Sequence, residues 1–480
     1  MAIECPHLAL EIVAPALGPP PDRRIMISVA NLAEHRRNAT LNWPLVKSTA
    51  VAGLGGLLFG FDTAVIAGAT KSLTNLFHLT PASLGLTVAI ALWGTIMGAL
   101  LAGIPGDAYG RRDSLRGLAI LFLVSALGCA FAWNWLSFVT FRFVAGLAIG
   151  GSSVLGPMYI AEIAPAKWRG RLVGFFQFSI VLGILVAYFS NFVIGTMSFG
   201  ASEWRWKLGI SAAPAAVFFF LLFYIPRSPR WLVKKGRVDE ARKVLDSIGE
   251  ENAKEELQQI VESIDIEHAG EKQRLFSWKY RFPVSLAIIV AMFNQLAGIN
   301  SILYYLNDIF ERAGFTKVSG DRQAVVIGAT NLCFTMLAML VIDKIGRKIM
   351  LLIGSVGTCL CLAAVSFLFN SHTHENLLIW PLIAYIAFFA FSQGAVIWVY
   401  ISEVFPNAVR AKGQSLGSFT HWLMTAILSW LFPLLSAHSA AVPFTFFSVM
   451  MALQFFVVLF YFPETKGITL ENVQKKLGIL

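Results

Sequence analysis

Charge is scarce in this chain. Asp, Glu, Lys and Arg together make up 14% of its 480 residues, where a soluble protein has about a quarter. That deficit excludes a water-solvated body over most of the length, and apolar residues fill the gap at 56%. Cysteine is also sparse. Of Cys5, Cys129, Cys333, Cys359 and Cys361, all but Cys5 lie inside long apolar runs, so no disulfide framework is indicated. Cys359 and Cys361 are two apart on a helix and point in different directions, which argues against a shared metal ion. Histidines and carboxylates show no metal-ligand spacing and no nucleophile motif is present, so neither an enzyme nor a cofactor is expected. The N-terminal segment lacks a charged start followed by an apolar core and a cleavage site, so no signal peptide is read there. The stretch through "GPPPDRR" reads as disordered, and Met26 is an alternative start.

What the chain does have is apolar segments of the length a membrane span needs, about 20 residues. Twelve spans are predicted, at 46–70, 83–105, 114–133, 136–161, 170–196, 205–225, 282–310, 322–342, 349–369, 377–402, 411–436 and 442–462. Lys and Arg gather in alternate loops, around Arg111, Arg112 and Arg116, Lys167, Arg169 and Arg171, Lys344, Arg347 and Lys348, and Arg410 and Lys412. Loops rich in these cations stay in the cytoplasm. Intervening loops such as "NSHTHEN" at 370–376 are nearly free of them, so both termini and the central insert are expected on the cytoplasmic side. The net charge of +10 follows from this asymmetry and gives no reason to expect nucleic acid.

The boundary motifs are written twice. Asp107, Gly110, Arg111 and Arg112 return as Asp343, Gly346, Arg347 and Lys348; Glu162 and Arg169 return as Glu403 and Arg410; Pro226 returns as Pro463. Three motifs repeated in one order at nearly one interval indicate a duplicated membrane unit, the plan of many secondary transporters. Between the copies, residues 226–281 are highly charged with helical apolar stripes, Val238, Ala241, Leu245 and Ile248 in one and Leu257, Ile260, Val261 and Ile264 in the other. These predict short surface helices, serving either as a linker or as a latch under both halves.

The strings "GGLLFGFD", "PMYIAEIAP", "RGRL", "PRSPRWL", "QLAGINSILYY", "DKIGRK", "SEVFPNAVRAKG" and "PETKG" resemble the sugar porter family of the major facilitator superfamily over residues 46–467. Within that family the chain looks closest to bacterial sugar:proton symporters of the xylose type. The resemblance implies an all-α fold of two six-helix bundles, here 46–225 and 282–467, flanked by cytoplasmic segments 1–45 and 468–480. It implies a monosaccharide and a proton as partners, alternating access, and a place in the bacterial inner membrane. A monomer is expected.

Asp62 is the residue that matters most, because a lone carboxylate in an apolar span is expensive and marks function by default. Arg142 is its candidate partner. Burial favours the neutral acid and a guanidinium favours the charged one, so small movements can load or release a proton. In proton-coupled relatives the matching Asp is the protonation site. The plainer reading is a permanent ion pair that only ties the first and fourth spans together.

Sugars need amides that donate and accept, together with aromatic surface. Gln177, Asn294, Gln295, Asn300 and Asn331 are amides in spans, with a helix break expected near Gly298 between Gln295 and Asn300. Trp398, Trp422 and Phe59 offer aromatic walls. By resemblance, Gln177, Gln295, Asn300, Asn331, Trp398 and Trp422 match sugar-contacting positions. The chain departs from the family at Asn294 (usually Gln), His421 (an amide), Ala395 (a proline), Ala108 (an arginine) and Arg227 (a glutamate). His421 is expected to bind sugar or to stay neutral in a satisfied contact. Asp107, Arg111, Glu162, Arg169, Asp343, Arg347, Glu403 and Arg410 form a candidate cytoplasmic gate able to pair across the halves. Two alternatives to symport remain: a uniporter with the same site, or a sensor that does not transport.

Overall fold

The computed structural model describes residues 41–165, 167–197, 199–248, 253–269, 274–371, 375–406 and 409–466. The expectations for the segment before residue 41, Met26 among them, and for the tail from 468 lie outside these residues. The first half comprises α1 (Trp43–Val65), α2 (Thr70–Phe77), α3 (Pro81–Leu101), α4 (Gly103–Ala108), α5 (Arg111–Ala130), α6 (Trp135–Ile163), α7 (Arg169–Thr196), α8 (Glu203–Gly209) and α9 (Ala212–Leu221). The insert holds α10 (Pro229–Lys234), α11 (Val238–Ser247) and α12 (Ala253–Ala269). The second half comprises α13 (Arg281–Leu296), α14 (Ile299–Tyr304), α15 (Leu306–Arg312), α16 (Lys317–Ile345), α17 (Arg347–Ser371), α18 (Ile379–Phe391), α19 (Gln393–Val404), α20 (Arg410–His438) and α21 (Val442–Tyr461).

Among the described residues, 11 helices are long and apolar enough to cross a membrane. The sixth predicted span is the exception. It is divided into α8 and α9 by a turn at Ile210 and Ser211, and neither piece reaches the length of a span alone. The chain is a multi-pass membrane protein of two six-helix bundles.

Local chemistry starts the helices where the sequence changes character. Asn42 accepts from the Leu45 N–H ahead of α1, Thr80 does the same for α3, and Asn134 with Ser137 closes a reciprocal cap on α6. In lipid there is little hydrophobic force between helices, so close backbone approach has to supply the packing. α3 and α6 achieve it with Gly94 and Gly98 facing Gly146 and Gly150. A Cβ on Gly146 would lie 1.9 Å from the Ala91 carbonyl oxygen, and one on Gly94 would lie 2.3 Å from that of Phe143.

Burial divides the molecule along its long axis. Toward the insert, each half has its own core, Leu45 to Ile225 in the first and Leu275 to Phe462 in the second. At the opposite end one core is shared, joining Phe61, Val65, Leu73 and Tyr188 of the first half to Ile302, Tyr305, Phe310 and Phe432 of the second. The halves therefore share one core at one end and keep separate cores at the other, where Met339 of α16 still approaches Gly174 of α7. In the insert, Ala241, Leu245 and Ile248 are buried as the stripe requires, whereas Val238 is 40% exposed because it is the first residue of α11. Trp231 ties the insert to the first half by donating from Nε1 to the Asp107 carbonyl at 3.1 Å.

Candidate functional site

The second half breaks its first span where glycine allows it. Gly298 has φ +82°, and a Cβ there would meet the Phe447 ring at 2.3 Å. The break lets Asn300 turn back on the preceding helix. Asn300 Nδ2 donates to Gln295 Oε1 at 2.9 Å, Gln295 Nε2 to Asn294 Oδ1 at 2.8 Å, and Asn294 Nδ2 to the Gln393 carbonyl at 3.1 Å. Gln295 Nε2 is also 3.3 Å and 3.4 Å from the two ring nitrogens of His421. Asn294, which is shorter than the family's glutamine, thus bridges Gln295 to the backbone of the tenth span. That span bends without the family's proline. α18 ends at Phe391 and α19 begins at Gln393, with Ser392 at φ −116° and ψ −88° between them.

Aromatic rings close over this amide chain. His421 packs between Trp398 and Trp422, with ring centroids 5.1 Å away on each side. Phe59 of α1 meets Trp422 at 5.4 Å, a ring contact that crosses the halves. Phe59, Asn294, Gln295, Asn300, Trp398, His421 and Trp422 therefore form one group. Gln177 on α7 is half-buried and makes no hydrogen bond to a described residue. Asn331 on α16 is buried, and among the described residues its side chain is hydrogen-bonded only by Thr335 Oγ1, at 3.5 Å. Neither hydrogen-bonds to a member of the group. Gln393 is an amide in a span that the sequence reading passed over. It is 1% exposed, and its Oε1 has no partner.

Asp62 and Arg142 meet, with Nη1 2.6 Å from Oδ1. Arg142 is 2% exposed and Asp62 18%. Arg142 Nε has no hydrogen-bond partner. Beside the pair lies a cavity of about 20 Å³ bordered by Ser125, Cys129 and Ser211, large enough for one water.

At the insert end the duplicated motifs build the same charge cluster twice. Arg111 binds Glu162 at 3.0 Å and Asp107 at 3.0 Å; Arg347 binds Glu403 at 2.8 Å and Asp343 at 2.9 Å. Ser228 donates to Glu162, and Thr465 to Glu403. Tyr159 OH reaches the Pro226 carbonyl at 2.8 Å, and Tyr400 OH that of Pro463 at 3.1 Å. Each arginine follows a glycine at positive φ, Gly110 at +90° and Gly346 at +105°. In this structure each of these pairs lies within one half. Arg410 Nε donates to the Phe405 carbonyl at 3.4 Å, Arg169 is exposed, and Ala108 is exposed.

The Arg227 departure has a local explanation. In the second half Glu464 accepts the Arg347 and Lys348 N–H groups at 3.0 and 3.1 Å, capping α17. In the first half the acid has moved onto the helix itself as Asp113, and Arg227 binds it at 3.0 Å. The second-half counterpart of Asp113 is Ile349, so the first half ties the segment to the helix by a side-chain ion pair in place of a backbone cap.

The opposite end is held by bonds across the halves. Thr70 Oγ1 donates to Asp308 Oδ1 at 3.0 Å, Tyr188 OH to the Leu303 carbonyl at 2.8 Å, and Trp430 Nε1 to the Ala82 carbonyl at 3.2 Å. Lys71 pairs with Glu311, Lys317 with Glu203 and Lys207 with Asp321. A cavity of about 360 Å³ beneath Lys71 and Glu311 is lined by none of the predicted site residues. A site between the halves is thus closed from this end.

Comparison with known proteins agrees on one family. A family model described as "Sugar (and other) transporter" matches residues 48–477. The arabinose-proton symporter of Bacillus subtilis (strain 168) is 37% identical over 432 residues, covering 88% of this chain and 93% of that protein. The D-xylose-proton symporter of Escherichia coli (strain K12) is 35% identical over 467 residues, covering 89% and 94%. The inward open conformation of the xylose transporter XylE from E. coli superposes with a TM-score of 0.81 at 33% identity, covering 90% of this chain and 99% of that one.

Proposed function

The chain belongs to the family of sugar (and other) transporters, and from that premise we propose that it imports a monosaccharide, a pentose or hexose, together with a proton. Relatives named as arabinose-proton and D-xylose-proton symporters support the coupling and the cargo class. The observation that carries the proposal is the Asp62–Arg142 pair in the first bundle. A carboxylate beside a guanidinium inside a membrane is stable while charged and, once protonated, gives up its partner, so protonation and helix movement are linked. The sugar binds between the bundles, with Asn294, Gln295, Asn300 and His421 presenting polar groups and Phe59, Trp398 and Trp422 the apolar faces. Gln177 and Asn331 complete it as amides with unused capacity.

The lysine and arginine distribution puts the insert, both termini and the charge clusters in the cytoplasm. The sealed end is then external, and the molecule faces inward, consistent with its likeness to an inward open relative. The relatives' bacterial sources support an inner-membrane location. The bundles are assigned to 46–225 and 282–467, and the working unit to a monomer. The paired clusters of each half are the parts available to form a cytoplasmic gate when the halves close there.

The short Asp62–Arg142 contact also favours a second reading, in which the pair never breaks and the protein is a uniporter. Accumulation separates them. A potential of 100 mV acting on one proton supplies about 2.3 kcal/mol, enough for roughly fifty-fold accumulation at about 1.4 kcal/mol per decade. Radiolabelled sugar in energised vesicles should accumulate and collapse with a protonophore. Asp62→Asn should abolish accumulation while sparing sugar exchange. Accumulation that survives either treatment rules out the proton role of Asp62.

A further inference from the structure

At the sealed end four charges alternate in a line that crosses the boundary between the halves twice. Lys317 of α16 binds Glu203 Oε2 at 2.8 Å. Glu203 Oε1 is 2.9 Å from Lys207 Nζ on the next turn of α8, and Lys207 Nζ is 3.0 Å from Asp321 Oδ2, back on α16. Lys207 is fully buried, and Asp321 is 1% exposed. The surroundings are fitted to the pair. Asn307 of α15 donates to the other Asp321 oxygen, and α7 carries glycine at position 195, where a Cβ would stand 2.7 Å from Asp321 Oδ2.

A buried ion pair is an uneven device. Its Coulomb gain only roughly offsets the loss of hydration, whereas a single buried ion left without its partner is strongly unfavourable. We propose that Lys207 and Asp321 form a reversible lock that sets how readily the two bundles part at the external end. The proposal rests on the alternating-access reading above. While the lock is closed the charges satisfy each other. As the bundles part both ions gain water, which offsets the lost contact and keeps opening accessible, as an apolar plug of the same shape would not.

The single variants and the double variant respond in opposite directions. Lys207→Met leaves Asp321 buried and unpaired only in the sealed state, so it shifts the protein toward external opening. Asp321→Asn shifts it the same way but less, because Lys207 keeps Glu203 at 2.9 Å. Lys207→Met with Asp321→Leu removes both ions, restores sealing and takes away the hydration that assists opening.

The test places a reporter on the seam by Leu303→Cys, a position 2% exposed under Tyr188, in the full chain in proteoliposomes. A membrane-impermeant maleimide added from outside should label it about tenfold faster in Lys207→Met, equivalent to about 1.4 kcal/mol of bias, and faster by a smaller factor in Asp321→Asn. The double variant should label at or below the rate of the parent chain and carry out net uptake more slowly. Equal labelling in the parent and both single variants overturns the lock, and so does a double variant that labels like the singles. Sugar counterflow in each variant reports whether the protein is folded. If the parent chain itself neither accumulates nor exchanges sugar, the transport reading fails and the labelling series still tests the lock.

Discussion

Gln295 has more polar contacts than any other residue of the proposed sugar site: it accepts from Asn300, donates to Asn294 and lies against His421. Gln295→Ala would take the partner from Asn294 Oδ1 and from Asn300 Nδ2, about 1–3 kcal/mol for each atom that stays out of water, and would remove a group of the proposed sugar site. Sugar affinity should fall roughly ten- to hundred-fold, at about 1.4 kcal/mol per decade, which the fluorescence of Trp398 and Trp422 can follow in a titration. A change below threefold would remove Gln295 from the site. His421→Gln restores the amide usual in the family. It should keep binding but change the ratio of pentose to hexose affinity, because an amide replaces a ring wedged between two indoles. An unaltered ratio across a sugar panel would leave His421 a packing residue. The amides and tryptophans were legible in the sequence because polar groups stand out in apolar spans. Their links were not, since Asn294, Gln393 and His421 come from three helices that only the fold brings together. Lys207 and Asp321 were less legible still. They fall near predicted span edges, where charged residues usually meet water, and their full burial depends on the other half.

At the scale of elements, helix breaks decide where side chains point, and the two central breaks of the second half have different causes. The break at Gly298 is local, since φ is +82° there, and a lone glycine between two amides was enough to place it. The break at Ser392 follows from packing. The sequence shows only that a familiar proline is missing at Ala395, yet the helix bends three residues earlier, where a Cβ on Gly354 of α17 would lie 1.8 Å from Ser392 Oγ. Ala395 falls in the first turn of α19, where backbone N–H groups have no partner within the helix and proline is tolerated. Ala395→Pro should therefore cost less than about 1 kcal/mol, in contrast to the roughly 3 kcal/mol of proline in a helix interior. Thermal melting in detergent checks it, and a fall of more than about 8 °C would mean that α19 is continuous with α18 in solution. The divided sixth span was missed because hydropathy averages over a turn of apolar residues and does not register Ile210 and Ser211 as an interruption.

At the scale of the whole molecule the duplication is visible atom by atom, yet the two copies are not equally strong. Arg111 and Arg347 each follow a positive-φ glycine, each bind two acids, and each share their glutamate with a hydroxyl from the segment that leaves the bundle. Burial separates them: the Glu162 side chain is 9% exposed and that of Glu403 24%. Removing one partner of a buried pair costs about 3–5 kcal/mol, because the remaining charge cannot reach water. Where water has access, that penalty is screened. Glu162→Ala should therefore destabilise the protein more than Glu403→Ala does, even though Glu403 holds its arginine through two nitrogens. After Glu162→Ala, Arg111 keeps only the largely exposed Asp107 as an ionic partner. After Glu403→Ala, Arg347 likewise keeps only an exposed acid, Asp343, but the space left by the half-open glutamate admits water to the guanidinium more readily than the space left by Glu162 does. Parallel melting curves of the two variants decide the order, and a larger loss for Glu403→Ala would mean that bond geometry, and not burial, ranks the repeats. The ranking bears on mechanism as well. If these clusters meet across the halves when the cytoplasmic side closes, the more exposed one around Glu403 is the cheaper to rearrange, so the second bundle should be the half whose charges change partners during transport.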